Sequence, residues 1–277
     1  MHALITGGSS GIGRELARKL VQQGYSLSLI ARRKALLEET AAELKGGFVN
    51  PRQRVFTYSA DVSNAQEAEK AVSASIRELG SPDLVITSAG IAVPGYFGEI
   101  PTKAFEESMA VNYFGSLYVV RAALPAMRKE RRGRVVFISS GAGLLGLYGY
   151  GTYSPSKFAL RGLAETLRAE LKADNIGISI AYPPDTETPM LVEENKTKPE
   201  ETKAITDIVK PWTAEAVATC IMNGIAKGKF GITPGATITM MNRIPGIILP
   251  LLSWYSDLLV TSVQRKRSEG RAAAKVA

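Results

Sequence analysis

The chain has 277 residues, a formal net charge of +8 and 45% hydrophobic residues, which is enough apolar material for one large core. One cysteine, Cys220, excludes an intramolecular disulfide, and one histidine, His2, leaves too few soft ligands for a zinc site. The basic excess carries no stripe of interleaved aromatics, so nucleic acid is not an expected partner.

Short apolar runs predict strands near 2–6, 26–30, 53–58, 83–87, 134–138, 177–181 and 230–233, with amphipathic helices between them. That alternation implies an α/β domain with a parallel sheet of about seven strands and helices on both faces, spanning 1–242. The first strand begins almost at Met1, so no signal peptide is expected. Cys220 reads as a small core residue of a helix, which fits a reducing, cytoplasmic setting.

Residues 3–13 read ALITGGSSGIG: a short apolar strand, glycines at 7, 8, 11 and 13, then a helix with Ile12, Leu16, Leu20 and Val21 on its apolar face. Strand, glycine-rich turn and helix place a pyrophosphate at a helix N-terminus, where glycines let the backbone approach. The second strand ends in Ala31-Arg32-Arg33. A carboxylate there would accept from the ribose of NAD, whereas arginine accommodates a 2′-phosphate, so the reading is NADPH/NADP+. One of the two arginines is free to begin a solvated helix. The third strand ends at Ala60-Asp61-Val62, with the Asp61 carboxylate placed for the adenine amino group, and the fourth in the small residues Ser88-Ala89-Gly90. Gly-x-Ser-x-Gly at 7–11 is no hydrolase elbow, because His2 is the sole histidine and no triad can be built.

Downstream, Ser140 precedes Tyr153 by thirteen residues, and Lys157 follows by four. On a helix, i and i+4 share a face, and an ammonium beside a phenol favours its anion. The pair is a candidate acid/base for the oxygen of an alcohol or ketone. Ser139 competes with Ser140, but neighbouring side chains on an extended segment point to opposite sides. Asn112, in a helix over 102–127, is either a relay to Lys157 or a core amide.

These residues carry a resemblance. TGGSSGIG (6–13), Asp61-Val62, Ser88-Ala89-Gly90, Asn112, Ser140, Tyr153 and Lys157 match in order the motifs of the short-chain dehydrogenase/reductase family, over about 1–235. Thr87-Ser88 depart from it, replacing two asparagines. Tyr182 to Pro189 (YPPDTETP) and Glu193 to Pro199 (EENKTKP) resemble the branch that reduces 3-ketodihydrosphingosine, a long-chain keto-base lipid, with NADPH. The resemblance implies a single doubly wound, Rossmann-like domain and a homo-oligomer, dimer or tetramer. It implies catalysis by Asn112, Ser140, Tyr153 and Lys157, with Lys157 lowering the phenol pKa and holding the nicotinamide ribose. It implies a cofactor site of Gly7, Ser9, Ser10, Gly11, Ile12, Gly13, Arg32, Arg33, Asp61, Val62, Ala89, Gly90, Tyr153, Lys157, Pro183 and Thr188, the last at the carboxamide. Reduction of another apolar carbonyl, and a nucleotide-binding scaffold without turnover, stay open as alternatives.

Residues 184–210 form a polar, proline-punctuated stretch without periodicity, read as a substrate lid. A keto-base carries an amine beside its ketone, and Asp185 and Glu187 are the candidate carboxylates for it. The segment 243–277 is apolar and then basic. Ile247, Ile248, Leu251, Leu252, Tyr255, Leu258 and Leu259 make a helical stripe, followed by Arg265, Lys266, Arg267, Arg271 and Lys275. Pro245, Pro250 and Asp257 argue against a simple span, so 244–267 is expected to lie on the cytoplasmic face of a membrane, or else against its own domain or a partner subunit.

Overall fold

A computed structural model describes residues 1–276, with side chains to Glu269. Seven parallel strands form one sheet: β1 (His2–Thr6), β2 (Ser26–Ala31), β3 (Val55–Ser59), β4 (Leu84–Thr87), β5 (Arg134–Ile138), β6 (Gly177–Ala181) and, numbered by its place in the chain, β9 (Gly231–Ile232). Their order is β3-β2-β1-β4-β5-β6-β9, so the winding reverses between β1 and β4. A doubly wound sheet opens a crevice at that point, beyond the carboxyl ends of its strands. Each strand lies within two residues of its predicted limits at either end.

Both faces are covered, which is why the strands are nearly continuous apolar runs. On one face α1 (Gly11–Gln22), α2 (Lys34–Lys45) and α9 (Ala214–Ala226) bury Leu16, Leu20, Leu37 and Val217 against Ile5, Leu29 and Ile86. On the other, α3 (Ala65–Leu79), α5 (Gly115–Glu130) and α6 (Tyr153–Glu170) pack around Leu4, Val85, Val135, Phe137 and Ile180. The helix predicted over 102–127 is present as α4 (Thr102–Met109), one π turn (Ala110–Phe114) and α5. Cys220, on α9, is half-buried at the rim of its core rather than inside it.

Two expectations need correction. The stretch 184–210 is not an irregular loop. It contains β7 (Thr186–Glu187), paired with β8 (Trp212–Thr213), and the helices α7 (Pro189–Thr197) and α8 (Glu200–Thr206). Two of its prolines start helices instead of breaking them: Thr188 caps α7 with Pro189 in the first turn, and Pro199 stands just before α8. The C-terminal stripe is also not one face. After α10 (Ala236–Arg243), α11 (Pro245–Val276) turns Ile248, Leu249 and Leu252 inward onto the core. Ile244, just ahead of it, and Ile247, Leu251, Trp254 and Leu258 on it remain 45–64% exposed. Their spacing of three and four residues makes a second, outward stripe. The side chains of Arg271 and Lys275 lie outside the described residues.

Candidate active site

A cavity of about 590 Å³ runs along the carboxyl ends of the strands, from Arg32 and Arg33 at the tip of β2 to Leu252, Tyr255 and Ser256 of α11. At its first end Gly7 and Gly11 have φ of +67° and +53°, the left-handed region that glycine tolerates. A Cβ on Gly7 would stand 2.8 Å from the Ala89 nitrogen, and one on Gly13 would collide with the Gly7 carbonyl. The turn therefore closes against β4 only with glycine at these positions. Ser10 caps α1 without a side-chain hydrogen bond, and the first turn holds no acidic residue. Its amides stay available to an anion.

The rest of this limb agrees with a dinucleotide. Ser9, Ser10, Ile12, Val62, Ala89, Gly90, Pro183 and Thr188 all line it. Arg32 and Arg33 are exposed at the β2 tip, and no carboxylate occupies the ribose-binding position there. Asp61 lines the cavity, with Oδ1 accepting from the Ser63 amide at 2.9 Å and hydroxyl at 2.8 Å, which fixes its orientation. Gly13 does not line the cavity; it serves by letting α1 approach the turn.

The candidate reacting centre comes from β5 and α6. Ser140 leaves β5 and caps a short helical turn, its Oγ accepting from the Ala142 amide at 3.1 Å. That turn lies tight on α6: a Cβ on Gly143 would stand 2.5 Å from Ser139 Oγ and 2.9 Å from the Lys157 carbonyl oxygen. Ser139 is buried and lines the cavity, but its hydroxyl donates to that same carbonyl, 3.0 Å away, and so is committed to α6. Tyr153 opens α6, and Lys157 lies one turn on, its Nζ 5.4 Å from the phenol ring centroid and donating to the Ile138 carbonyl at 3.1 Å.

Burial pushes the Tyr153 phenol well above its usual pKa, helped by the Glu194 charge and opposed by a hydrogen bond from Ser140. Burial also lowers Lys157 from 10.5 to about 8. The expected lowering of the phenol by Lys157 is not seen here: burial sets the direction for both groups, because loss of solvent penalises both charged forms. Asn112 is fully buried in the π turn, and such turns recur at functional sites. Its amide accepts from the Ile91 nitrogen at 2.8 Å and donates to the Ile91 carbonyl at 2.9 Å and to Ser156 Oγ at 2.8 Å. It clamps the segment after β4 onto α6, and a Cβ on Gly90 would lie 3.1 Å from its Oδ1 and 3.5 Å from Lys157 Nζ.

Of the two lid carboxylates, Asp185 lines the cavity but pairs with the buried Lys198 at 3.4 Å. Glu187 is exposed on β7 and does not line the cavity. The residue that sequence reasoning missed is Glu194, buried on α7, lining the cavity and accepting from Tyr150 Oη at 2.8 Å. Its only signal was a place within the run EENKTKP.

A family model for short chain dehydrogenases matches residues 1–199. The chain belongs to the short-chain dehydrogenases. It is 40% identical over 258 residues, 93% of this chain and 78% of the relative, to the 3-ketodihydrosphingosine reductase of Bos taurus. Among solved structures it is similar to a short-chain dehydrogenase/reductase of Burkholderia phymatum in complex with NAD, at 26% identity and a TM-score of 0.75, covering 84% of this chain and 88% of the other. It is also similar to an alcohol dehydrogenase of Thermococcus sibiricus complexed with 5-hydroxy-NADP, at 25% identity and a TM-score of 0.72, covering 84% and 95%. The family's nicotinamide cofactor agrees with the cavity limb between Gly7 and Arg33.

Proposed function

We propose that this protein uses NADPH to reduce the ketone of a long-chain sphingoid base, the substrate that the name of its Bos taurus relative gives for that protein. The observation that carries the reading is the second limb of the cavity. Beyond Tyr153 it continues between the lid and the C-terminal helices, walled by Ile205, Ile238, Met241, Leu252 and Tyr255. An apolar channel that starts at an acid/base phenol suits a polar reacting head joined to a hydrocarbon chain. Met241 is buried in this wall, whereas Met240 is exposed outside it.

The cofactor, when bound, supplies the hydride. Arg32 or Arg33 holds its 2′-phosphate, and the α1 amides hold its pyrophosphate. Tyr153 donates its proton to the carbonyl oxygen, and its raised pKa keeps that proton in place at neutral pH. Ser140 donates a hydrogen bond to the same oxygen as negative charge grows there. Lys157 stands below the phenol, where it can pair with the phenolate left after transfer. Asn112 positions α6 and the strand-four segment, acting through Ile91 and Ser156.

The outward stripe of α11 belongs to the same reading. The helix over 245–269 contains an 18-residue window with the mean hydropathy, 1.4, of a membrane span, but Ile248, Leu249 and Leu252 pack against the domain. A helix docked by one face and apolar on the other suits the surface of a bilayer. Since α11 also walls the substrate limb, a lipid would enter from the membrane side.

The test is oxidation of NADPH on addition of 3-ketodihydrosphingosine in mixed micelles. Turnover with dihydrosphingosine as product supports the reading. No turnover on this substrate, with turnover on a steroid or retinoid ketone, overturns it.

A further inference from the structure

The head-group end of the cavity contains an acceptor that the proposed proton transfer does not use. Glu194 and Asp185 both face this region, but Asp185 has the Lys198 ammonium at 3.4 Å, on a side chain only 1% exposed. Glu194 is 8% exposed and differently placed. Its Oε2 accepts from Tyr150 Oη at 2.8 Å, which is the carboxylate's one hydrogen bond among the described residues, and Oε1 keeps accessible surface at the cavity. The Tyr150 ring lies 5.6 Å from the Tyr153 ring. The carboxylate is thus one aromatic side chain away from the phenol that would protonate the ketone.

A carboxylate withdrawn from water with one hydrogen bond is poorly compensated. Burial accordingly raises the Glu194 pKa, partly offset by Tyr150 and the nearby Lys198. An arriving cation that donates hydrogen bonds would favour the ionised form. In a keto-base the amine sits on the carbon next to the ketone carbon. With the ketone oxygen at Tyr153, an amine one carbon away needs a partner close to the phenol, and Tyr150 with Glu194 supply a carboxylate in that part of the cavity.

We propose that Glu194 is the specificity-determining residue for the substrate's amine, its Oε1 accepting from the ammonium while Tyr150 holds Oε2. The inference rests on the keto-base reading above and involves no bond-making at Glu194. It also replaces Asp185 and Glu187 in that role.

The test uses the full chain saturated with NADPH and two substrates: the amino ketone, and the same long-chain hydroxyketone with hydrogen in place of the amine. The wild type is expected to favour the amino ketone by at least ~10-fold in kcat/KM. Glu194→Gln keeps the size of the side chain and an acceptor for Tyr150. It should lower kcat/KM for the amino ketone by about 10- to 100-fold, mainly through KM, and leave the desamino ketone within ~3-fold. Unchanged NADPH affinity by fluorescence titration shows that the variant is folded; if it is not, the wild-type preference and the Glu194→Asp variant decide. Equal wild-type efficiency on both ketones overturns the inference, and so does parallel loss of both in Glu194→Gln. Those results differ from failure of the parent reading, in which the wild type turns over neither ketone.

Discussion

The outward stripe of α11 yields the most quantitative prediction. Ile247, Leu251, Trp254 and Leu258 keep 64, 57, 62 and 50% of their surface accessible. Full burial of such a side chain is worth ~2 kcal/mol, so seating the exposed part in a bilayer interface is worth ~1 kcal/mol each. Four of them give about 4 kcal/mol, or ~10³ in partitioning. Replacing all four with glutamine should therefore move the protein from vesicle-bound to free in a flotation assay. The melting temperature should hold, because Ile248, Leu249 and Leu252 on the inner face are untouched. Deleting α11 outright is a poorer test, since it also uncovers the core and removes a wall of the cavity. Arg265 and Lys266 should each add ~1 kcal/mol on anionic vesicles, a contribution that salt removes. Arg267 is the wrong residue to reverse, because it donates to Tyr96 Oη at 3.1 Å and stacks on that ring. A wild type that stays off anionic vesicles refutes the reasoning. So does a wild-type oligomer that the four substitutions dissociate, which would place a second subunit on the stripe instead.

Three further outcomes are expected. Tyr153→Phe should cut ketone reduction by at least ~10²-fold with NADPH affinity retained, measured by steady-state kinetics and fluorescence titration; near-normal turnover would remove the phenol from the mechanism. Arg32→Ala should weaken NADPH far more than NADH in the same titration, and equal losses would shift the 2′-phosphate contact to Arg33. Lys157→Met should abolish turnover yet stabilise the ligand-free protein at pH 7. The fall in the Lys157 pKa from 10.5 to about 8 means that the folded state binds this proton less well than the unfolded one. Below pH 8 the penalty is present in full, about 3 kcal/mol, and it fades as pH rises from 8 to 10.5. Urea melts at pH 7 and pH 10 should show the variant's advantage shrinking, and an advantage independent of pH would contradict the burial argument.

Local pattern determined much of this protein. The glycines at 7, 11 and 13 are needed by backbone geometry alone, and a turn between the first strand and helix states its own purpose. The strands are legible because burial on both faces makes each a continuous apolar run, and Tyr153 and Lys157 because one helical turn fixes their relation. Three features depended on tertiary structure. Glu194 meets Tyr150 across 44 residues, and nothing in a run of charged lid residues marks which one will be buried. Asp185 looks as suitable in sequence, but folding gives it to Lys198. The C-terminal helix carries apolar residues on two sides, and periodicity is silent on which side the domain will cover. Hydrophobic spacing reports that a face is apolar, whereas the choice between core, cavity wall and outward surface is made by what folds up beside it.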